Sequence, residues 1–158
     1  MSHTLDPLDE RIVGILLRDG RTPAAQIAEE VGLSRPAVAD RIDKLERSGV
    51  IRGTTAVVEP DAVGRGITAF VSARGASLTP KGWAAFRELM KSDEILEVHT
   101  VAGDDCYLIK IRTTSIPSLN ELVSKISDPP IALATRTTIV METYCEKVGG
   151  IALGRNVV

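Results

Sequence analysis

Val31–Ile51, "VGLSRPAVADRIDKLERSGVI", decides the fold of the N-terminal third of this chain. Gly32 breaks one helical pattern, and Ser34 stands where an N-cap for the next belongs. Val38, Ile42 and Leu45 then recur at i, i+4 and i+7, the spacing of one apolar helix face, until Gly49 ends the run. Two helices separated by a turn this short form either a piece of a helical bundle or a helix-turn-helix. The charges favour the second reading. Helical residues advance about 100° each, so Ser34, Ala37, Arg41 and Lys44 share one flank. Asp43 and Glu46 share the other with Ala39, while Asp40 and Arg47 lie near the outermost line.

Such a helix suits a DNA major groove. Its small or directional N-terminal residues, Ser34, Arg35, Pro36 and Ala37, permit close approach to base edges. Arg41 and Lys44 are placed to reach bases or phosphates. Asp40 precedes Lys44 by four residues and Asp43 precedes Arg47 by four, the favourable order for helical ion pairs, and Asp40 alternatively suits a cytosine amino group. Asp43 and Glu46 read as a solvated flank. Arg41→Ala is therefore expected to weaken operator binding more than Glu46→Ala.

Upstream, "DPLDERIVGILLRDG" carries Asp6 as cap, Pro7 at the first helical position, and Leu8, Ile12, Ile15 and Leu16 on one face. "TPAAQIAEEVG" repeats the grammar, with Thr22 as cap, Pro23 at the first position and Ala24, Ile27, Ala28 and Val31 inward. Three short helices thus share a core over residues 1–53. Residues 54–66 read as a strand linker, "TTAVVEP" extended and "DAVGRG" loosening the chain.

Residues 67–145 follow the order strand, helix, strand, strand, helix, strand. The segments are "ITAFVSAR", "TPKGWAAFRELMKS" capped by Thr79, "EILEVHTVAG", "CYLIKIRT", "SIPSLNELVSKI" and "TRTTIVMETY". That order is the ferredoxin-like βαββαβ arrangement, so the chain reads as α+β: a three-helix helix-turn-helix domain followed by a ferredoxin-like domain. Helices on one face of a sheet leave the other bare, which makes homodimerisation through the sheet the simplest expectation. Residues 146–158 form a C-terminal tail carrying no motif.

The 158 residues are 44% hydrophobic and 25% charged, an ordinary globular composition. No apolar run approaches the ~18 residues needed to span a bilayer, and Asp6, Asp9 and Glu10 precede any apolar stretch, so a cytoplasmic protein is expected. Cys106 and Cys145, the only cysteines, make no disulfide framework and show no metal spacing, so no metal or cofactor is expected. The formal net charge is −2, and residues 1–53 hold 8 Lys or Arg against 9 Asp or Glu. Affinity for double-stranded DNA must then come from where charges sit, or from several copies acting together.

"LDERIVGILLRDGR", "IAEEVGLSRPAVADRIDKLERSGVIRG", "VAGDDCYLIKIR" and "TRTTIVMETY" closely resemble the leucine-responsive regulator and AsnC (feast/famine) family of transcription factors, from about Leu5 to Tyr144. The resemblance implies an N-terminal helix-turn-helix, a regulatory domain of the ferredoxin-like type, dimers that commonly assemble into octamers, and an amino acid effector. It places that effector at the turn "AGDDCY", which on its residues alone reads as a hairpin turn with Gly103 at the bend. Backbone N–H groups beside Gly103 suit a carboxylate, and Asp104 or Asp105 suits an ammonium group. Tyr107 adjoins the turn, and Thr135 and Thr137 match positions that the family uses for hydroxyl contacts. One residue departs from the pattern: "GDDCY" stands where the family has "GxxDY", so Cys106 replaces an aspartate. "SDPPIALATRT" is also about one residue longer than the common form, so helix-borne ligand contacts are not carried over.

Two rival readings belong to other classes. Cys106, His99 and Asp105 near one hairpin are the best material for an enzyme, yet nothing in their spacing makes them converge. A dimeric ligand-binding module whose helical head contacts a protein would differ from a DNA binder in lacking the steep salt dependence that phosphate contacts impose.

Overall fold

In the computed structural model, which describes residues 5–147, the chain divides into two compact units, one running to Val57 and the other from Val58 to Glu146. The first holds α1 (Pro7–Arg18), α2 (Ala24–Val31) and α3 (Arg35–Arg47). Asp6 caps α1 by accepting the Asp9 N–H at 2.7 Å, and Pro7 opens the helix. Ser34 caps α3 in the same manner, its hydroxyl oxygen 3.4 Å from Ala37 N. Gly32 takes φ +75°, and the N–H groups of Gly32 and Leu33 both donate to Ala28 O, which turns the chain sharply between α2 and α3. Ile12, Ile15, Ile27, Ala28, Val31, Val38 and Leu45 form the core.

Two sequence expectations in this region fail. Thr22 does not cap α2: its hydroxyl and its N–H both bond to Asp19 O, which consumes the side chain in a turn, and Pro23 occupies the cap position with no side-chain bond. The segment from Thr54 to Val58 forms no strand. An extended run becomes a strand only beside another, and Val57 and Val58 stand exposed without one. A single 3-10 turn, Asp61–Val63, follows.

The second unit contains β1 (Ile67–Arg74), α4 (Pro80–Leu89), β2 (Ile95–Thr100), β3 (Tyr107–Thr113), α5 (Ile116–Ser127) and β4 (Ala134–Ile139). The antiparallel sheet has the order β2-β3-β1-β4. Ala69, Val71, Ala73, Ile109 and Ile111 face Phe86 of α4 and Leu119, Leu122 and Ile126 of α5 in one core. Register settles the opposite face. Ala73 pairs with Tyr107 and Thr135, and Val71 with Ile109 and Thr137, so these point toward the helices. Thr68, Phe70, Ser72, Arg74, Leu108, Lys110, Arg112, Arg136 and Thr138 occupy the helix-free face.

The last strand stops at Ile139 rather than running to Tyr144. Beyond the Val140 N–H, which donates to Thr68 O, the chain leaves the ladder and lies against the helix-free face. Glu146 there accepts from Lys110 and from Arg112 Nη2, the latter at 2.8 Å. The two bases hold its carboxyl below the usual range, Lys110 being the larger cause. Glu146, placed with the motif-free tail by sequence, is thus the counter-charge of two largely covered bases; residues 148–158 of that tail lie outside the described residues. No helix among the described residues is long and apolar enough to cross a membrane.

Gly82, in the first turn of α4, is fully packed: a Cβ there would sit 2.8 Å from Pro130 O. Helix propensity alone makes Gly→Ala favourable by up to ~1 kcal/mol, but a backbone carbonyl cannot swing aside. Gly82→Ala is therefore expected to destabilise the protein by about 1–3 kcal/mol, measured by urea unfolding; an unchanged or raised midpoint would show that the contact yields.

Candidate nucleic-acid interface and effector site

Along α3, Ser34, Arg35, Pro36, Asp40 and Lys44 are exposed and Ala37 half-buried. Among the described residues Arg35, Asp40 and Lys44 make no ion pair, so the anticipated Asp40–Lys44 bridge is absent while Asp43–Arg47 forms at 2.7 Å. Arg41 behaves differently from its flank. Its Nη1 donates to Asp6 Oδ2 and Asp9 Oδ1 of α1, both at 2.6 Å. The bond from Arg41 is the main cause that lowers the Asp6 carboxyl, and the guanidinium is held charged in return. Expected to reach bases or phosphates, Arg41 instead ties two helices together, because α1 presents two carboxylates where its side chain passes. Pairs separated by 35 and 32 residues leave no local signal in the sequence.

The turn between β2 and β3 spans Val101 to Cys106, closed by the Val101 N–H donating to Cys106 O. Gly103 has φ +132°, a backbone state that favours glycine. Beside this turn lies an open concavity of about 350 Å³, lined by Ser72, Arg74, Asp104, Asp105, Ala134, Thr135 and Arg136. Three of the six expected effector residues, Asp104, Asp105 and Thr135, line it. Asp105 is engaged by Arg136 Nη2 at 3.1 Å, whereas Asp104 makes no ion pair among the described residues.

Gly103, Tyr107 and Thr137 are not among the lining residues, and Thr135, which is, turns its side chain to the helix side. The hydroxyls of Thr135 and Ser127 are 3.0 Å apart, and Thr137 stands exposed on the helix-side face of β4. Tyr107 belongs to an aromatic cluster, its ring edge-on to Phe86 at 5.2 Å and to Trp83 at 6.2 Å. Sequence reasoning passed over Ser72, Arg74 and Arg136. Strand alternation marks Ser72 and Arg74 as face-mates, but only the β1–β4 register, Ser72 opposite Arg136, shows what they face.

Cys106, His99 and Asp105 each have a separate partner. The Cys106 thiol is 3.7 Å from Gly75 O, His99 Nε2 is 3.1 Å from Glu97 Oε2, and Asp105 is held by Arg136. Both cysteines are free thiols. Among the described residues no three His, Cys, Asp or Glu side chains group so as to hold a metal ion.

Comparison with known proteins agrees with this division. Residues 5–46 match the AsnC-type helix-turn-helix domain, and residues 68–149 match the Lrp/AsnC ligand binding domain. The chain is 37% identical over 146 residues to the HTH-type transcriptional regulator FL11 of Pyrococcus abyssi, covering 92% of this chain and 95% of that protein. It is 33% identical to the HTH-type transcriptional regulator LrpA of Mycobacterium tuberculosis, over 91% of this chain and 95% of LrpA. The crystal structure of that LrpA superposes with a TM-score of 0.80 at 32% identity, covering 90% of this chain and 97% of the other. A feast or famine regulatory protein from M. tuberculosis complexed with L-methionine superposes with a TM-score of 0.82 at 30% identity, covering 94% and 100%. An AsnC-type DNA-binding head joined to an Lrp/AsnC ligand-binding domain places the chain in the Lrp/AsnC family of transcriptional regulators.

Proposed function

We propose that this regulator reads a DNA major groove with the N-terminal half of α3 and changes its assembly or DNA binding when an amino acid occupies the concavity beside the β2–β3 turn. The observation that carries the DNA reading is the exposed surface of α3. Ser34, Arg35, Pro36 and Ala37 lie at its N-terminus, Asp40 follows on the outer line, and Lys44 stands without a counter-ion among the described residues. The family match of residues 5–46 supports it. A regulator with this surface works in the cytoplasm on double-stranded DNA.

Charge complementarity supports the effector reading. Within the concavity Asp105 and Arg136 satisfy one another, leaving Arg74 and Asp104 with no ion pair among the described residues. One base and one acid match the carboxylate and ammonium of a free amino acid. Gly103 shapes the turn, Tyr107 follows it in the aromatic cluster, and Thr137 faces the helices, so Asp104 and Arg74 carry more of this reading than those three. The L-methionine bound to the M. tuberculosis relative supports the same ligand class.

The helix-free face supports a homodimer. Phe70 is 36% exposed there beside half-buried Leu108 and Val140, and the Lys110, Arg112, Glu97 and Glu146 charges are mutually paired. Family resemblance extends the assembly to an octamer, in which several heads of modest affinity act on one DNA.

Three outcomes test the proposal. In a fluorescence-anisotropy titration on a duplex selected from genomic DNA, Lys44→Ala lowers the slope of log affinity against log salt by about 0.9 per lost phosphate contact, while Glu46→Ala leaves it unchanged; equal slopes would remove α3 from the interface. A thermal-shift screen of the twenty amino acids raises the melting temperature with at least one of them, and Asp104→Asn abolishes that response; silence across the set would sink the effector reading. Phe70→Glu shifts the protein toward monomer in light scattering with its circular dichroism retained, and an undisturbed oligomer would place the interface elsewhere.

A further inference from the structure

Arg41 occupies the flank of α3 that carries Ser34, Ala37 and Lys44, yet its guanidinium is bound to α1. Both ion pairs are 2.6 Å, and the Asp9 side chain that receives one of them is only 10% exposed. A carboxylate so nearly buried needs a counter-charge, because removing its partner leaves the charge uncompensated in a poorly solvated place. Arg41 therefore cannot turn toward a phosphate without stranding Asp9. Asp6 joins the two functions: its Oδ1 accepts the Asp9 N–H and caps α1, while its Oδ2 receives Arg41. One carboxylate thus sets both where α1 begins and where α3 crosses it.

We infer that Arg41 is a positioning residue that fixes the attitude of α3 through Asp6 and Asp9 and makes no contact with DNA. The inference rests on the reading of α3 as the recognition helix. It leaves Arg35 and Lys44 as the basic residues of α3 that meet DNA, since Arg47 is engaged by Asp43. Loss of binding in Arg41→Ala does not distinguish positioning from contact, because both remove affinity. Its partner does distinguish them. A phosphate-contacting arginine freed from Asp9 should bind DNA as well or better, whereas a positioning arginine deprived of Asp9 should bind worse.

The experiment uses the full chain and two probes, a duplex enriched from random-sequence DNA by the unaltered protein and an unrelated duplex of equal length. Arg41→Gln, Asp9→Asn and the double variant are titrated on both across a salt series. Each single variant is expected to lose about tenfold on the enriched duplex, and the double variant no more than the weaker single, the non-additivity of residues acting as one unit. The salt slope stays that of the unaltered chain, and binding to the unrelated duplex is retained. Asp6→Asn is the milder companion, since asparagine still caps α1; it loses affinity in the same direction with the head folded, and it decides the matter if Asp9→Asn melts the head. Wild-type or tighter binding by the Asp6 and Asp9 variants, or a slope reduced by about 0.9 in Arg41→Gln, overturns the inference while leaving the DNA reading intact. A chain that enriches no duplex overturns both.

Discussion

Side-chain alternation in a four-stranded sheet covered on one face governs what the C-terminal unit can do. Along β1, Ile67, Ala69, Val71 and Ala73 go to the helices, while Thr68, Phe70, Ser72 and Arg74 go to the other side. A shift of one residue would send every member of one set to the opposite face. Buried alanines and branched residues pin the register, and in doing so place Arg74 beside Asp104 and Arg136 at one end of the open face. They also bring Lys110 and Arg112 together near its middle, where each is mostly covered and Glu146 supplies the opposing charge. Polar function here depends on an apolar core that fixes which side each polar residue occupies.

The head answers a different problem, how an acidic protein presents positive charge to DNA. Four of the nine acids in residues 1–53 are spent on its own bases: Asp6 and Asp9 on Arg41, Asp43 on Arg47, Glu30 on Arg18. Arg21, Arg35, Lys44 and Arg52 are exposed and make no ion pair among the described residues. What a phosphate meets at short range is therefore set by which charges stand unpaired beside it rather than by net charge, because paired charges cancel locally and the field of the rest is screened within about 10 Å at ordinary salt. The acids within "VGLSRPAVADRIDKLERSGVI" follow this pattern. Asp43 serves Arg47, Glu46 lies on the outer flank, and only Asp40 is exposed without an ionic partner on the side of Lys44.

Most of the architecture was legible because it is written in local grammar. Asp6, Ser34, Thr79 and Ser115 each precede a proline-bearing first turn, and each caps its helix. The strand and helix order of the ferredoxin-like unit followed from the same local signals: strand-forming runs, the Thr79 cap, the acidic turn and the apolar face of the second helix. Failures occurred where a second segment decides. Thr22 has the residue type of a cap, but Asp19 O claims its hydroxyl. "TTAVVEP" has the composition of a strand and no neighbour, and β4 ends at Ile139 although strand-forming residues continue. The candidate site was half legible: the acidic turn could be found from Gly103 and its two aspartates, whereas Arg74 and Arg136 required the pairing of β1 with β4.

Cys106 is where the family's sequence pattern and the geometry of this turn meet. Its backbone N–H donates to Ala73 O, and its thiol lies 3.7 Å from Gly75 O, a weak donor facing a carbonyl. A carboxylate in that place would confront an acceptor with an acceptor and be repelled. The acid that the family pattern carries at this position is therefore not simply missing. Negative charge stands one and two residues earlier, on Asp105 and Asp104; Arg136 pairs with the first, and the second makes no ion pair among the described residues. The proposed effector site is therefore built from residues of β1 and β4 as well as from the turn.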